Sequence, residues 1–398
     1  MRVLFLTDSY RPARSACANR VTCLVEAMRD MGIDVVVLAS SDSLIGAAEA
    51  ETCSYVHYFQ TVPLNRKTLI ARLRNNFSGI FASIKAAYKL GDFDVVICTT
   101  PPLTLTSAAI KIAKMKKAEL VLDIRDIWPD IAYEIGKFSP TSPFGVYFEH
   151  LCRKSLSFAD LVITVSPGKV KKIIRRLGPD RISDLVCIPN GVDESFAKIE
   201  EDRATFERYF QNNENDTCVY VGNVGVAQGL GDMLCLASVR PSVRFLVFGD
   251  GAEAESLKDR AARDGLSNVR FCGKIDARGV WTVLRHASLA YVPLVNSNLK
   301  DSIPSKLYES LACGCPVLLV AAGDSVALLE ETGLGEHAVP KDVDSITAAF
   351  DVLLANSYTR EKKDAVSRYM FERHSRQSAS RRFAKVLLER YQDKKDYE

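Results

Sequence analysis

The chain has 398 residues, of which 47% are apolar and 25% charged, with a formal net charge of +3 at pH 7. That length predicts two domains, and the composition is that of a soluble globular protein, which excludes a disordered or fibrous chain. So small a positive excess also argues against a nucleic-acid partner.

Taken in chain order, short apolar β-rich runs alternate with amphipathic segments of helical length, the pattern of βαβ units and parallel sheets. The first half predicts strands at Val3–Thr7, Asp34–Ala39, Asp94–Thr99, Leu120–Ile124, Leu161–Val165 and Leu185–Ile188. Between them Val21, Leu24, Val25 and Met28 recur at helical spacing, as do Leu105, Ala109, Ile112 and Ala113. The turn Pro189-Asn-Gly-Val-Asp193 and the polar run to Asp216 mark a join. The cycle then restarts, with strands at Cys218–Val221, Arg244–Phe248, Val269–Phe271, Leu289–Val292 and Val317–Val320. Helices are expected at about 229–239, 253–264, 278–286 and 305–313, and the strand-free tail from Thr359 reads as helical. The fold class is therefore α/β, with two Rossmann-like domains.

The chain starts on a strand interrupted by Asp8, not on a signal peptide, and no apolar run approaches the ~18 residues that cross a bilayer. Eleven Cys are scattered without a Cys-x-x-Cys pair, and the five His have no metal-ligand spacing. A reducing cytosol, no disulfide framework and no metal site are expected. Residues 1–195 carry 25 Lys/Arg against 20 Asp/Glu, and the remainder 27 against 29. Basic residues cluster at Arg66–Arg74, Lys111–Lys117 and Lys169–Arg176, which favours an anionic surface as partner of the first half. Leu64–Leu90 interleaves these charges with Leu69, Ile70, Leu73, Phe77, Ile80, Phe81 and Ile84, as a membrane-surface helix would.

Chemistry concentrates in Asp301-Ser-Ile-Pro-Ser-Lys-Leu-Tyr-Glu309. Pro304 and Ser305 stand at a helix start, and Gly314 and Pro316 end it. Such a start offers free N–H groups and a positive dipole end, with Lys306 in the first turn and Glu309 one turn deeper. A sugar nucleotide fits: diphosphate at Ser302, Ile303, Pro304 and Lys306, ribose hydroxyls at Glu309. The Gly-rich turn Gly222-Asn223-Val-Gly-Val-Ala-Gln228, the turn Gly249-Asp250-Gly251 and Lys274 after Gly273 add binding positions. In the first half, Asp123-Ile-Arg125-Asp126-Ile-Trp128-Pro-Asp130 ends a buried strand, where three acids, an Arg and a Trp are expected to face a crevice. A structural ion network of Arg125 with Asp126 and Asp130 is the alternative there. Ser15-Ala16 follow the first strand, with Arg14 and Arg20 as nearby cations.

The segment 301–318 resembles glycosyltransferase family 4, a retaining family with the GT-B fold. Its two acids are separated by seven other residues, here Asp301 and Glu309, before Ala-Cys-Gly-x-Pro-Val. The Gly-Asn-x-Gly-x-Ala-Gln-Gly and Arg-Asp-x-Trp-Pro wordings are similar to an O-antigen and capsule subgroup that includes fucosamine transferases. The resemblance covers nearly the whole chain. It implies two domains facing across a cleft, 1–198 with about 372–398 and 199–371. It also implies metal-independent transfer, without a cofactor, from a nucleoside diphosphate sugar to a polyprenyl-diphosphate-linked saccharide at the inner face of the cell membrane. UDP and an N-acetylated deoxyhexosamine are the donor parts implied. By the same resemblance Asp126, Arg125 and Asp301 are the catalytic positions, and Ser15-Ala16 replace the family's Gly-Gly against the donor phosphates. Asn223 and Gln228 stand where an Arg and a Lys usually grip the diphosphate, and Arg125 replaces a His. A UDP-sugar epimerase of the same fold and a non-catalytic nucleotide-sugar-binding protein are the rival readings.

Overall fold

In a computed structural model of the chain, the described residues are 1–13, 15–44, 53–62, 69–178, 181, 184–211 and 215–397. They divide into two compact units, Met1–Asn190 with Arg376–Glu398, and Gly191–Ser375. The first unit runs β1 Arg2–Thr7, α1 Ala16–Asp30, β2 Asp34–Ser40, β3 Val56–Phe59, α2 Leu69–Tyr88, β4 Val95–Thr100, α3 Leu105–Lys116, β5 Glu119–Ile124, α4 Asp130–Glu134, α5 Pro143–Phe158, β6 Leu161–Thr164, α6 Pro167–Leu177 and β7 Leu185–Cys187. Its strands form one parallel sheet in the order β3-β2-β1-β4-β5-β6-β7. Val3, Leu4, Phe5 and Leu6 of β1 are all fully buried, because a central parallel strand is covered by helices on both faces. Each such side chain contributes about 1.5–3 kcal/mol on burial.

The second unit runs α7 Arg203–Tyr209, β8 Thr217–Val221, α8 Gly231–Val239, β9 Arg244–Phe248, α9 Ala254–Arg263, β10 Val269–Gly273, α10 Ala277–His286, β11 Leu289–Pro293, α11 Ser305–Ala312, β12 Val317–Val320, α12 Asp324–Thr332, β13 Gly335–Ala338, α13 Val343–Ala355 and α14 Arg360–Arg373. Its parallel sheet has the order β10-β9-β8-β11-β12-β13. The last helix, α15 Arg376–Tyr397, belongs to the first unit. There Phe383, Ala384 and Leu387 join Val21, Leu24, Val25 and Met28 of α1 in one core cluster.

Every strand expected from the sequence is present. Two further strands, β3 and β13, lie at sheet edges. They are four residues each, and His57, Glu336 and His337 break their apolar pattern. In both sheets the strand order reverses beside the first strand, between β1 and β4 and between β8 and β11. Loops leaving the carboxyl ends there have no neighbouring crossover to cover them.

Candidate functional site

In the second unit, the loops after β8 and β9 are bonded to each other. Gly222 N donates to Phe248 O at 2.8 Å, Val224 N to Asp250 O at 3.0 Å, and Gly249 N to Gly273 O at 2.7 Å. A Cβ on Gly249 would stand 1.8 Å from Gly222 O. Glycine is therefore required at 249 for loop packing, whatever binds above it. A Cβ on Gly222, whose φ is +138°, would stand 2.2 Å from Lys306 Cε. Lys306 occupies that space: its Nζ lies 5.1 Å from the Tyr220 ring centroid. Among the described residues no carboxylate lies within ion-pair distance of it. Burial pushes its pKa down to about 8, and Glu309 pulls it partly back. This is a cation held ready for an anion, since an approaching phosphate relieves the cost of its desolvation.

Helix α11 starts at Pro304, an N-cap without a side-chain hydrogen bond, so its first N–H groups have no side-chain acceptor there. Ser302, Ile303 and Pro304 are half-buried around that start. Lys306 and Glu309 line one small pocket with Tyr291 and Ser310. Asp301 is 5% exposed and so buried. Asn223 Nδ2 donates to Gln228 Oε1 at 3.2 Å, so the two amides that replace the expected clamp bind each other. Lys274 stands in solvent 3.6 Å from Asp250.

The first unit holds a cavity of about 570 Å³ at the carboxyl ends of β1 and β4. Ser15, Ala16 and Arg125 line it, and so does Asp8. The Ser15 hydroxyl is already engaged, accepting Ala18 N–H at 3.1 Å as the cap of α1 and bonding Ser9 Oγ at 3.0 Å. Arg125 donates to Thr99 Oγ1 at 3.1 Å and Pro101 O at 2.8 Å, with Asp8 at 4.0 Å.

The alternative reading, an Arg125–Asp126–Asp130 network, does not form. Asp126 instead lies 3.8 Å from Lys169, and Asp130 pairs with Arg176. The crevice reading is corrected for Asp123 alone. Asp123 is fully buried and held by Arg20 at 2.8 Å and Thr99 at 3.0 Å, so neither Arg20 nor Asp123 faces a ligand. Trp128 packs against Phe138 and Phe148. Sequence reasoning missed Asp8 and Lys169. Asp8 was visible only as the residue interrupting β1, and Lys169 only as one lysine of a basic run.

That basic run is corrected as a surface cluster. Lys169 is 2% exposed, Lys172 bonds Glu134, and Arg176 bonds Asp130 and Glu149. Only Lys171 and Arg175 stand fully in solvent there. Of the Leu64–Leu90 segment, residues 64–68 and the side chains of Leu69, Ile70, Arg72 and Leu73 lie outside the described residues, as does Arg14. The rest of α2 exposes Arg74, Phe77, Phe81, Lys85 and Tyr88 at spacings of three and four.

Two sequence families account for most of the chain: "Glycosyltransferase Family 4" matches residues 18–196 and "Glycosyl transferases group 1" matches residues 201–373. The chain is a glycosyltransferase of the GT-B type. It is 23% identical over 296 residues to "Probable glycosyltransferase WbjE" of Pseudomonas aeruginosa, covering 72% of this chain and 73% of that protein. Its fold is that of the Anabaena protein HepE solved with UDP, at 16% identity and a TM-score of 0.72 over 98% of this chain and 100% of that one. It is also that of WaaG, a glycosyltransferase involved in lipopolysaccharide biosynthesis, at 15% identity and a TM-score of 0.71 over 96% and 99%. The group 1 match of the glycosyltransferase contains Gly222, Lys306 and Glu309. The family 4 match contains Arg125, Asp126 and Lys169 but begins beyond Asp8, Ser15 and Ala16.

Proposed function

We propose that this glycosyltransferase moves a sugar from a UDP-linked donor to a lipid-linked saccharide in O-antigen or capsule synthesis, with retention at the anomeric carbon. The observation that carries the reading is Lys306. It is a half-desolvated cation at a helix start, packed against Gly222 and followed one turn later by Glu309. Diphosphate binds at Lys306 and the first N–H groups of α11, and the ribose hydroxyls donate to Glu309. Neutralising the diphosphate stabilises it as a leaving group, so positioning and charge carry the chemistry. Asp301, being buried, acts by holding the loop ahead of α11, and Lys274 contributes backbone rather than its ammonium. UDP is favoured over GDP and dTDP because HepE was solved with UDP. An N-acetylated deoxyhexosamine as the transferred sugar rests on the sequence wording alone.

The exposed basic and aromatic stripe of α2 supports docking on the anionic inner face of the cell membrane, where a polyprenyl-linked acceptor lies. No helix among the described residues is long and apolar enough to cross a membrane. One observation favours the rival reading of a non-catalytic nucleotide-sugar binder: the neutral Asn223–Gln228 pair in place of a cationic clamp.

The test is thermal stabilisation by UDP, GDP and dTDP of the native chain and of Glu309→Ala. UDP should stabilise the native chain most, and the variant should lose that response while its ligand-free melting temperature stays nearly unchanged. Equal stabilisation of both, or no response of the native chain to any nucleotide, would overturn the reading. Turnover of a UDP-sugar only when acceptor is present separates transfer from epimerisation and from binding alone.

A further inference from the structure

Three guanidinium groups gather round Tyr209 on one face of the second sheet. Arg244, Leu246 and Phe248 alternate onto the same face of β9, where Tyr209, the last residue of α7, packs with Leu246 and Phe248. Arg270 of β10 pairs in register with Leu246, so it lies on that face too. Arg244 Nη2 donates to Tyr209 O at 2.6 Å and to Thr217 Oγ1 at 3.0 Å. The guanidinium carbons of Arg208 and Arg270 lie 5.2 and 5.5 Å from the Tyr209 ring centroid. Among the described residues none of the three has a carboxylate in ion-pair distance, and Arg208 and Arg270 make no side-chain hydrogen bond. Other arginines of this unit do pair: Arg203 with Glu207, Arg240 with Asp351, Arg260 with Asp264 and Arg285 with Asp364. The carbonyl end of α7 accounts for Arg244 and Arg208 singly, but not for a third cation beside them.

The three charges converge at Cys272. Burial raises the pKa of its thiol, and Tyr209, Arg270, Arg208 and Arg244 all pull it back. Cys272 is also the extra residue of a β-bulge: Phe271 pairs with Val247 and Gly273 with Phe248, which leaves Cys272 without an opposite residue. Bulges re-aim side chains and are common beside functional sites. Like charges so placed repel: burial lowers the Arg244 pKa, and Arg270 lowers it further. An oxyanion would relieve that cost. Guanidinium forks match phosphate oxygens two at a time, whereas a single monovalent carboxylate would leave two of the three charges uncompensated. We propose that Arg208, Arg244 and Arg270 form a binding site for a free phosphate anion of charge two or more, distinct from the nucleotide site at Lys306. Arg244 opens β9, about 16 Å of strand before the Gly249 turn. The proposal does not depend on the glycosyltransfer reading.

Calorimetry at constant ionic strength tests this, with inorganic pyrophosphate as the probe and Lys306→Ala as the starting chain, so that the Lys306 ammonium cannot supply the signal. Expected is binding of one equivalent. Arg270→Gln in that background should weaken it at least tenfold, and Arg208→Gln/Arg270→Gln should abolish it. Both side chains are exposed, so the ligand-free melting temperature should not change. Arg368→Gln removes the same charge from an exposed site on α14 and should leave binding intact. Citrate, a carboxylate anion of comparable charge, should bind at least tenfold more weakly than pyrophosphate. The proposal falls if Lys306→Ala binds no pyrophosphate, if Arg368→Gln costs as much as Arg270→Gln, if binding survives the double variant, or if citrate binds equally well. A chain that ignores soluble pyrophosphate yet sediments with phosphatidic acid vesicles, and loses this in the double variant, would place the phosphate on a lipid and overturn the free ligand.

Discussion

The two units share a parallel α/β sheet and a reversal of strand order beside the first strand, yet they prepare for ligands in opposite ways. Among the described residues the second unit keeps Lys306 without a carboxylate in ion-pair distance and relies on backbone packing at Gly222 and Gly249 to hold it. In the first unit almost every charge near the sheet end is matched to another: Arg20 with Asp123, Lys169 with Asp126, Arg176 with Asp130. An unmatched cation draws an anionic ligand, whereas matched charges are held by one another.

Breaking the matched side should give the largest effect. Arg20→Met leaves Asp123 buried without its partner and should destabilise the first unit by about 3–5 kcal/mol. Urea unfolding followed by a probe in each unit would show the loss confined to the first. On the other side, Lys306→Ala should cost about 1.5–3 kcal/mol of UDP binding. The double variant Asn223→Ala/Gln228→Ala should cost less, and calorimetry showing the reverse ranking would make the amide pair the true grip.

The pH dependence sharpens the comparison. Lys306 titrates near 8 in the free protein. Below that it is charged and adds no pH dependence of its own to UDP binding. Above it the free protein must take up a proton to bind, so affinity should fall by up to about tenfold per pH unit. Lys306→Arg, which stays charged, should abolish the decline, and a decline that persisted would place the titrating group elsewhere.

The smallest effects per residue belong to α2. Each basic residue near an anionic surface is worth about 1 kcal/mol, and salt screens it. Arg74→Gln and Lys85→Gln together should reduce sedimentation with phosphatidylglycerol vesicles, and Phe81→Ser should reduce what survives high salt. Equal recovery with neutral vesicles would mark the stripe as ordinary solvated surface.

The sheets were legible because a buried parallel strand must be apolar on both faces, and runs such as Val3-Leu-Phe-Leu and Val317-Leu-Leu-Val state that directly. Edge strands β3 and β13 escaped because an edge tolerates His57, Glu336 and His337. Helix α11 was legible from Pro304 at one end and Gly314 at the other, and with it the adjacency of Lys306 and Glu309. The contact between Lys306 and Gly222 was not, since 84 positions separate residues that only the β8–β11 pairing brings together. Basic runs were the least legible feature. Spacing cannot distinguish Lys171, in solvent, from Lys169, buried beside Asp126 two residues earlier.

The course of α15 has a consequence for synthesis. Arg376 bonds Asn190 O at 2.9 Å and Arg390 bonds Asp160 O at 2.9 Å, so a segment made after residues 191–375 closes the first unit. Until they emerge, the face of α1 that Phe383 and Leu387 cover stays uncovered, while residues 191–375 are already complete. Of the two units, the one begun earlier is completed later, and a nascent chain halted near residue 375 would carry a finished second unit joined to an open, aggregation-prone first unit.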